Sequence, residues 1–216
     1  MKLLRKGAEA NLYLADFLGL KSVVKFRVRK AYRIPQLDRR IREYRTIHEA
    51  GLLHEAREAG VPTPLVYFLD RKNCRLILQY VEGERLKEIL DKARRFEEVR
   101  ELALRLGELI GKLHLKGIVH GDLTTSNVIL TPGGGMVLID FGLGFHSESL
   151  EDRGMDLHLL RQTLESQHTR LAKPFFQAIL EGYGKIVGGE KLEEVKGKLK
   201  EIQARGRYIP PEARRA

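Results

Sequence analysis

The 216 residues carry 39 lysines and arginines against 29 aspartates and glutamates, a formal charge of +10, and are 43% hydrophobic and 31% charged. That composition excludes a disordered or fibrous chain, and its length suits one domain or two small lobes sharing a hinge, burying roughly 70% of the unfolded surface. The one cysteine, Cys74, excludes an internal disulfide or a cysteine-rich zinc site. No apolar run reaches the ~18 residues of a membrane span and Met1-Lys2-Leu3-Leu4-Arg5 lacks a signal-peptide core, so a cytoplasmic protein with no membrane partner is expected.

The first eighty residues read as a small β-rich unit with one helix. Leu12-Tyr13-Leu14 and Ser22-Val23-Val24-Lys25-Phe26 form a hairpin-like pair around Phe17-Leu18-Gly19-Leu20. From Gln36 to Glu58, Leu37, Ile41, Tyr44, Ile47 and Leu52 fall near helical spacing and predict one amphipathic helix. Gly60-Val61-Pro62-Thr63-Pro64 ends it. Two strands follow, Leu65–Leu69 and Arg75–Tyr80, around a turn at Asp70-Arg71-Lys72-Asn73. After Glu82-Gly83 the pattern turns helical, with a short helix from Leu86 and a clear stripe of Leu102, Leu106, Leu109, Ile110 and Leu113. Val128-Ile129-Leu130 and Met136-Val137-Leu138-Ile139 then flank Thr131-Pro132-Gly133-Gly134-Gly135 as a second hairpin. Helix returns from Met155, and Arg205–Ala216 reads as a Gly/Pro/Arg-rich tail.

Charge is uneven along the chain. Residues 21–45 hold ten Lys/Arg against two acids, and residues 191–216 hold eight against four. Two basic stretches suit a polyanionic partner, nucleic acid or an acidic protein. A solvated, thermophile-style surface is the plainer alternative, supported by the few Asn and Gln.

The stretch that carries chemistry is His120-Gly121-Asp122-Leu123-Thr124-Thr125-Ser126-Asn127, followed by Leu138-Ile139-Asp140-Phe141-Gly142. In phosphoryl transfer, catalysis is mostly positioning and charge neutralisation. Asp122 can orient or accept the proton of an attacking nucleophile, while Asn127 and Asp140 offer the hard oxygen ligands that suit Mg2+ beside ATP phosphates. An isolated Asp-Phe-Gly is weak evidence, but the whole set is rare by chance, and it resembles the eukaryotic-type protein kinase superfamily. That superfamily needs a strand lysine for the α/β-phosphates and a helix glutamate to steady it. Val23-Val24-Lys25 fits the first, and Glu43 and Glu49 both lie on the helix that follows. The glycine-rich phosphate loop is reduced to Gly7-Ala8-Glu9-Ala10, and no Ala-Pro-Glu closes the activation segment. Gly121 replaces the arginine that would meet a phosphorylated activation loop, so switching of that kind is not expected.

These departures, with Lys25-Phe26-Arg27, Lys30, Tyr32-Arg33, Pro35, Leu37-Asp38, Arg45-Thr46, Glu49-Ala50, Glu151–Leu157 and Arg205-Gly206-Arg207, make the whole chain similar to the p53-related protein kinase family, the minimal kinase/ATPase subunits of KEOPS (EKC) complexes. The resemblance implies an α+β, bilobal protein-kinase-like fold, with a β-rich N-lobe over 1–82 and a reduced helical C-lobe over 83–216. It implies that Glu49 partners Lys25, that Gly7, Ala8, Glu9 and Ala10 cover the phosphates, and that Gln79 and Val81 hold the adenine edge through their backbones, with Leu78 behind. It implies Asp122 as the catalytic residue, Asn127 and Asp140 as metal ligands, and Asp156 as a brace for the catalytic-loop backbone. ATP and Mg2+ are the implied cofactors. The implied activity is an ATPase, with possible Ser/Thr (auto)phosphorylation, supporting threonylcarbamoyladenosine modification of tRNA. The implied partners are a tRNA threonylcarbamoyltransferase subunit on the C-lobe, a small accessory subunit on the N-lobe, and tRNA, met by Arg205 and Arg207. The tail departs from the family pattern, since Tyr208 follows Arg207 and Arg214-Arg215 lie farther on. Competing readings are a non-catalytic kinase-like scaffold, a small-molecule phosphotransferase and a ribosome-assembly kinase of the RIO type.

Overall fold

The structure, a computed structural model, describes residues 1–207 in two compact units. The first comprises Met1–Gly83 and Ile129–Gly144, the second Glu84–Val128 and the chain from Phe145 onward. A simple division at 82/83 therefore misses that the second hairpin returns to the first unit. The reason is bonding: the Leu138 N–H donates to the Pro62 carbonyl at 2.9 Å, and the segment carries Asp140 to Lys25.

In the first unit, β1 (Lys2–Lys6), β2 (Ala10–Phe17), β3 (Leu20–Arg27), β4 (Val66–Asp70) and β5 (Arg75–Gln79) form an antiparallel sheet in the order β1-β2-β3-β5-β4. The β2–β3 turn has Leu18 at φ 54° and Gly19 at φ 79°, the two positive values that match a tight hairpin to strand twist. Asp16 accepts the Gly19 N–H at 2.9 Å and supports it. Strand β1 is exposed along its whole length, so it lacks the apolar alternation that would mark it in sequence. Register places Lys25 opposite Leu12 of β2 and Leu76 of β5, at the centre of the sheet.

Helix α1 (Pro35–Glu58) opens with proline in its first turn, where a missing N–H costs nothing. Its buried face is not the predicted apolar stripe. Leu37 and Tyr44 are exposed, while Asp38, Thr46, Glu49, Leu52, Leu53 and Ala56 are buried. These polar groups turn inward because each has a partner: Asp38 accepts from Arg42 and from the Lys30 N–H, Thr46 donates to the Arg42 carbonyl, and Glu49 meets cations on β3, as described below. Gly60, at φ 77°, ends the helix.

The second unit begins with β6 (Glu84–Arg85), α2 (Leu86–Lys92) and α3 (Arg100–Leu115), followed by β7 (Ile118–Val119). Strands β8 (Val128–Leu130) and β9 (Met136–Leu138) form the returning hairpin. Then β10 (Phe145–His146) pairs with β7, and α4 (Leu150–Gln167), α5 (Thr169–Val187) and α6 (Gly189–Arg207) complete the unit. The result is α+β, with an antiparallel N-terminal sheet and a helical C-terminal part, as expected. Helix α4 starts five residues earlier than the pattern from Met155 suggests, because Ser149 accepts the Glu151 N–H at 3.1 Å and caps it. Helices α3 and α5 meet backbone to backbone through glycine. A Cβ on Gly107 would lie 2.0 Å from the Ile179 carbonyl oxygen, and one on Gly182 would lie 2.0 Å from that of Leu104. Leu106, Ile110, Leu113, Phe175, Ile179 and Tyr183 fill the core around this crossing.

Helix α6 runs through Arg207, so Arg205 stands on a helix and not in a tail. Its guanidinium reaches Glu151 at 2.8 Å. The Arg207 side chain and residues 208–216, including Arg214-Arg215, lie outside the described residues. No helix among the described residues is long and apolar enough to cross a membrane.

Candidate active site

The chemistry-bearing residues fall into two groups, one in each unit. In the first unit, Lys25 and Arg27 sit two apart on β3 and therefore point to the same side of the strand. Lys25 Nζ lies 2.6 Å from Glu49 Oε1 and 2.6 Å from Asp140 Oδ1. Arg27 Nη2 lies 2.7 Å from Glu49 Oε2. Lys25, Arg27 and Glu49 are all less than 10% exposed, which only a mutually neutralised set can sustain. Of the two helix glutamates, Glu49 is thus the one on Lys25, while Glu43 pairs with Arg71 at 3.3 Å. Burial pulls the Lys25 pKa down, but the charges of Glu49 and Asp140 outweigh it, so its ammonium is held on more firmly than usual.

Asp140 adopts φ 65°, a left-handed conformation costing a non-glycine residue roughly 1–2 kcal/mol. Its Oδ1 accepts the Gly142 N–H at 3.3 Å, which helps hold the turn, and its side chain is 42% exposed, open to a ligand as well as to Lys25. Phe141 is fully buried and anchors the segment.

The Gly7–Ala10 turn is braced from within. The Gly7 N–H donates to the Ala10 carbonyl at 3.1 Å, Lys30 Nζ donates to the Ala8 carbonyl at 2.6 Å, and the Glu9 carboxylate meets Arg45 at 2.9 Å. The Gln79 N–H donates to the Leu65 carbonyl at 2.8 Å and the Tyr80 N–H to that of Lys21 at 3.1 Å. These bonds fix the segment that leads to Val81. Leu78 is buried behind it.

In the second unit the catalytic-loop candidates form their own network. Asn127 Nδ2 donates at 2.9 Å to both the Asp122 carbonyl and Asp122 Oδ2, which leaves Asn127 Oδ1 as an acceptor. The Asp122 N–H donates to His120 Nδ1 at 3.3 Å, and His120 is fully buried, a structural residue. Gly121 sits at φ 74°, so the loop bends sharply where most kinases carry arginine. Asp156, seven residues into α4 and so no helix cap, accepts the His120 N–H at 2.8 Å and the Gly121 N–H at 2.9 Å. Behind it His114 Nε2 lies 3.3 Å from Asp156, and His114 Nδ1 lies 3.1 Å from the Tyr183 hydroxyl. The bond to the carboxylate places the His114 proton on Nε2, so Tyr183 donates to Nδ1. Burial pushes the Tyr183 pKa up to about 12.

Arg27 entered the sequence reading only as part of Lys25-Phe26-Arg27, with no role of its own, and His114 and Tyr183 were not singled out. For Arg27 the signal was available, since strand alternation puts it on the Lys25 face. For His114 and Tyr183, 69 residues apart, only the packing of α3 on α5 reveals the link. No group of three or more His, Cys, Asp or Glu side chains that could hold a metal ion occurs among the described residues.

The protein kinase domain family matches residues 22–162. The chain is similar to the KEOPS complex subunit Bud32 of Pyrococcus abyssi, 47% identical over 214 residues and 96% of each chain. It is also similar to a probable bifunctional tRNA threonylcarbamoyladenosine biosynthesis protein of Methanothermobacter thermautotrophicus, 43% identical over 95% of this chain and 36% of that one. The protein of the same name from Methanococcus maripaludis is 37% identical over 96% of this chain and 36% of that one. The chain thus spans about a third of the length of these bifunctional relatives, at 36%, and nearly the whole of the Pyrococcus subunit, at 96%.

Proposed function

Because the chain belongs to the protein kinase family, and within it to the family of the KEOPS subunit Bud32, we propose that it is the ATP-consuming subunit of a KEOPS complex, acting in threonylcarbamoyladenosine modification of tRNA. The observation that carries the reading is Lys25, an ammonium held 2.6 Å from each of Glu49 and Asp140 in a buried, neutralised set. Lys25 holds the α/β-phosphates of ATP, and Glu49 keeps it extended toward them. Gly7, Ala8, Glu9 and Ala10 lie over the phosphates, and the backbones of Gln79 and Val81 take the adenine edge. Asn127 Oδ1 and the Asp140 carboxylate would hold Mg2+, which when bound neutralises charge developing on the phosphates.

Asp122 orients the nucleophile. For hydrolysis that nucleophile is water, whose oxygen bonds to the γ-phosphorus as the bond to the β–γ bridging oxygen breaks. The water proton passes to Asp122 or to the phosphate formed, and ADP leaves. Transfer to a Ser or Thr hydroxyl, including this chain's own, uses the same group and is the secondary activity. A transferase subunit on the C-terminal unit and an accessory subunit on the N-terminal unit complete the reading. An edge strand β1 that exposes Leu3 and Leu4 suits a protein partner there. Arg205 and Arg207 contact tRNA phosphates, and that contact weakens with salt.

The test is ADP release from ATP-Mg by the purified chain, alone and with the transferase subunit and tRNA. Asp140→Ala is expected to abolish turnover. Asp122→Ala is expected to bind ATP normally but turn over about 10²–10⁴-fold more slowly, the contribution of a positioned acid–base group. Wild-type rates in Asp122→Ala would remove the mechanism, and ATP binding without turnover in the wild type would make the chain a scaffold. Separately, alanine at both Arg205 and Arg207 should lower tRNA affinity and leave ATP affinity unchanged. Unchanged tRNA affinity would remove Arg205 and Arg207 from the interface.

A further inference from the structure

In the first unit two buried cations converge on one glutamate. Glu49 gives Oε1 to Lys25 at 2.6 Å and Oε2 to Arg27 at 2.7 Å, so each carboxylate oxygen has its own cation. The same Arg27 nitrogen also donates to the Arg45 carbonyl at 3.2 Å. Arg45 and Glu49 are one helical turn apart on α1, so a single guanidinium on β3 grips the helix at two successive turns. Its own backbone is fixed, since the Arg27 N–H donates to the Cys74 carbonyl at 3.2 Å. A Cβ on Gly142 would sit 3.1 Å from Asp140 Oδ1 and 3.3 Å from both Arg27 Nη2 and Lys25 Nζ, so the backbone at Gly142 lies close against the pair. The charges also count: Lys25 and Arg27 against Glu49 and Asp140 sum to zero, whereas without Arg27 one oxygen of the buried Glu49 carboxylate would lose its cation.

We propose that Arg27 is a positioning residue for the ATP reaction: it clamps α1 onto β3 and keeps the Lys25–Glu49 pair closed without a phosphorylated segment. In many protein kinases the corresponding helix is free to move, and phosphorylation of the activation loop controls when the lysine–glutamate pair forms. Here the clamp lies wholly within residues 25–49 and is present in the unmodified chain. Gly121, where those kinases place an arginine, fits a molecule that has moved this task elsewhere. Lysine does not reproduce the contact, because its ammonium ends one bond short of the Nη2 atom that serves both Glu49 and the Arg45 carbonyl. The assignment rests on the reading of the chain as an ATP-using kinase.

Two measurements on the full chain test it. The first is amide hydrogen exchange of the unphosphorylated, nucleotide-free protein. Arg27→Lys and Arg27→Met are expected to speed exchange at least tenfold over residues 45–49, with β2 and β3 unchanged. Equal protection in wild type and both variants would overturn the clamp. The second is a double-mutant cycle on ATP-Mg affinity with Arg27→Met and Glu49→Gln. If Arg27 acts through Glu49, each single variant loses roughly tenfold and the double variant loses no more than about twofold beyond the worse single. Losses that multiply would overturn the assignment, leaving Arg27 as general scaffolding. A wild-type chain that fails to bind ATP-Mg while exchange still responds to Arg27 would sink the ATP reading and keep the clamp.

Discussion

Alanine in place of Asp156 is expected to destabilise the second unit by about 3–5 kcal/mol, the range for removing one partner of a buried charged network. The carboxylate is 3% exposed and accepts the backbone N–H groups of both His120 and Gly121. Alanine leaves both donors without their acceptor, and it leaves the His114 Nε2 proton facing a void. The loop then loses its hold on the backbone immediately before Asp122, so the variant should also turn ATP over at least a hundredfold more slowly while binding it nearly as well. Urea unfolding followed by circular dichroism, and ADP release at low temperature, measure the two effects separately.

The same residue predicts an acid response. Burial alone would raise the Asp156 pKa, but the His114 hydrogen bond and the backbone N–H of His120 outweigh it, so the net shift is downward. A carboxylate depressed in the fold adds stability that is complete above its ordinary value of 3.8 and is lost as pH falls through the lower folded value. Wild-type stability should therefore drop more steeply below that pH than the stability of Asp156→Asn, which cannot take up the proton. Parallel curves would show that Asp156 contributes nothing through its charge.

Gly107→Leu is expected to be the most damaging single change outside the site, costing at least about 3 kcal/mol and preventing folding at elevated temperature. Even Gly107→Ala should lower the unfolding midpoint, since its Cβ would lie 2.0 Å from the Ile179 oxygen and 2.8 Å from the Tyr183 nitrogen. These neighbours are backbone atoms of α5, which cannot rotate away, so α3 and α5 must separate and break the layer that holds Tyr183 on His114. Gly197→Ala in α6 is the control. A Cβ there meets nothing within 4 Å, and the variant should gain about 1 kcal/mol from helix propensity alone. If Gly107→Ala and Gly197→Ala shift the midpoint in the same direction, close packing is not what glycine serves at position 107.

Sequence alone determined the class of fold and named the residues to which the chemistry is proposed. Strand alternation around Lys25, the helix after it, and the spacing from His120 to Asn127 and on to Asp140 are local signals, carried by a few neighbouring side chains. The helical stripe from Leu102 to Leu113 is local too. Tertiary structure decided what depends on partners distant in the chain. Pattern reading made Leu37 and Tyr44 part of a buried stripe, yet the buried N-terminal face of α1 holds Asp38, Thr46 and Glu49, because Arg42 and the Lys30 N–H satisfy the first and Lys25 and Arg27 the last. Periodicity scores those polar residues as solvent-facing, since it cannot see the cation that makes burial affordable. Arg205 likewise read as tail, but the helical hydrogen bonds of α6 continue past it, and Glu151, 54 residues earlier, meets its charge. Hydrophobic period is a property of a segment, whereas charge neutralisation and glycine-to-backbone contact are properties of pairs, and only the folded chain brings the members of a pair together.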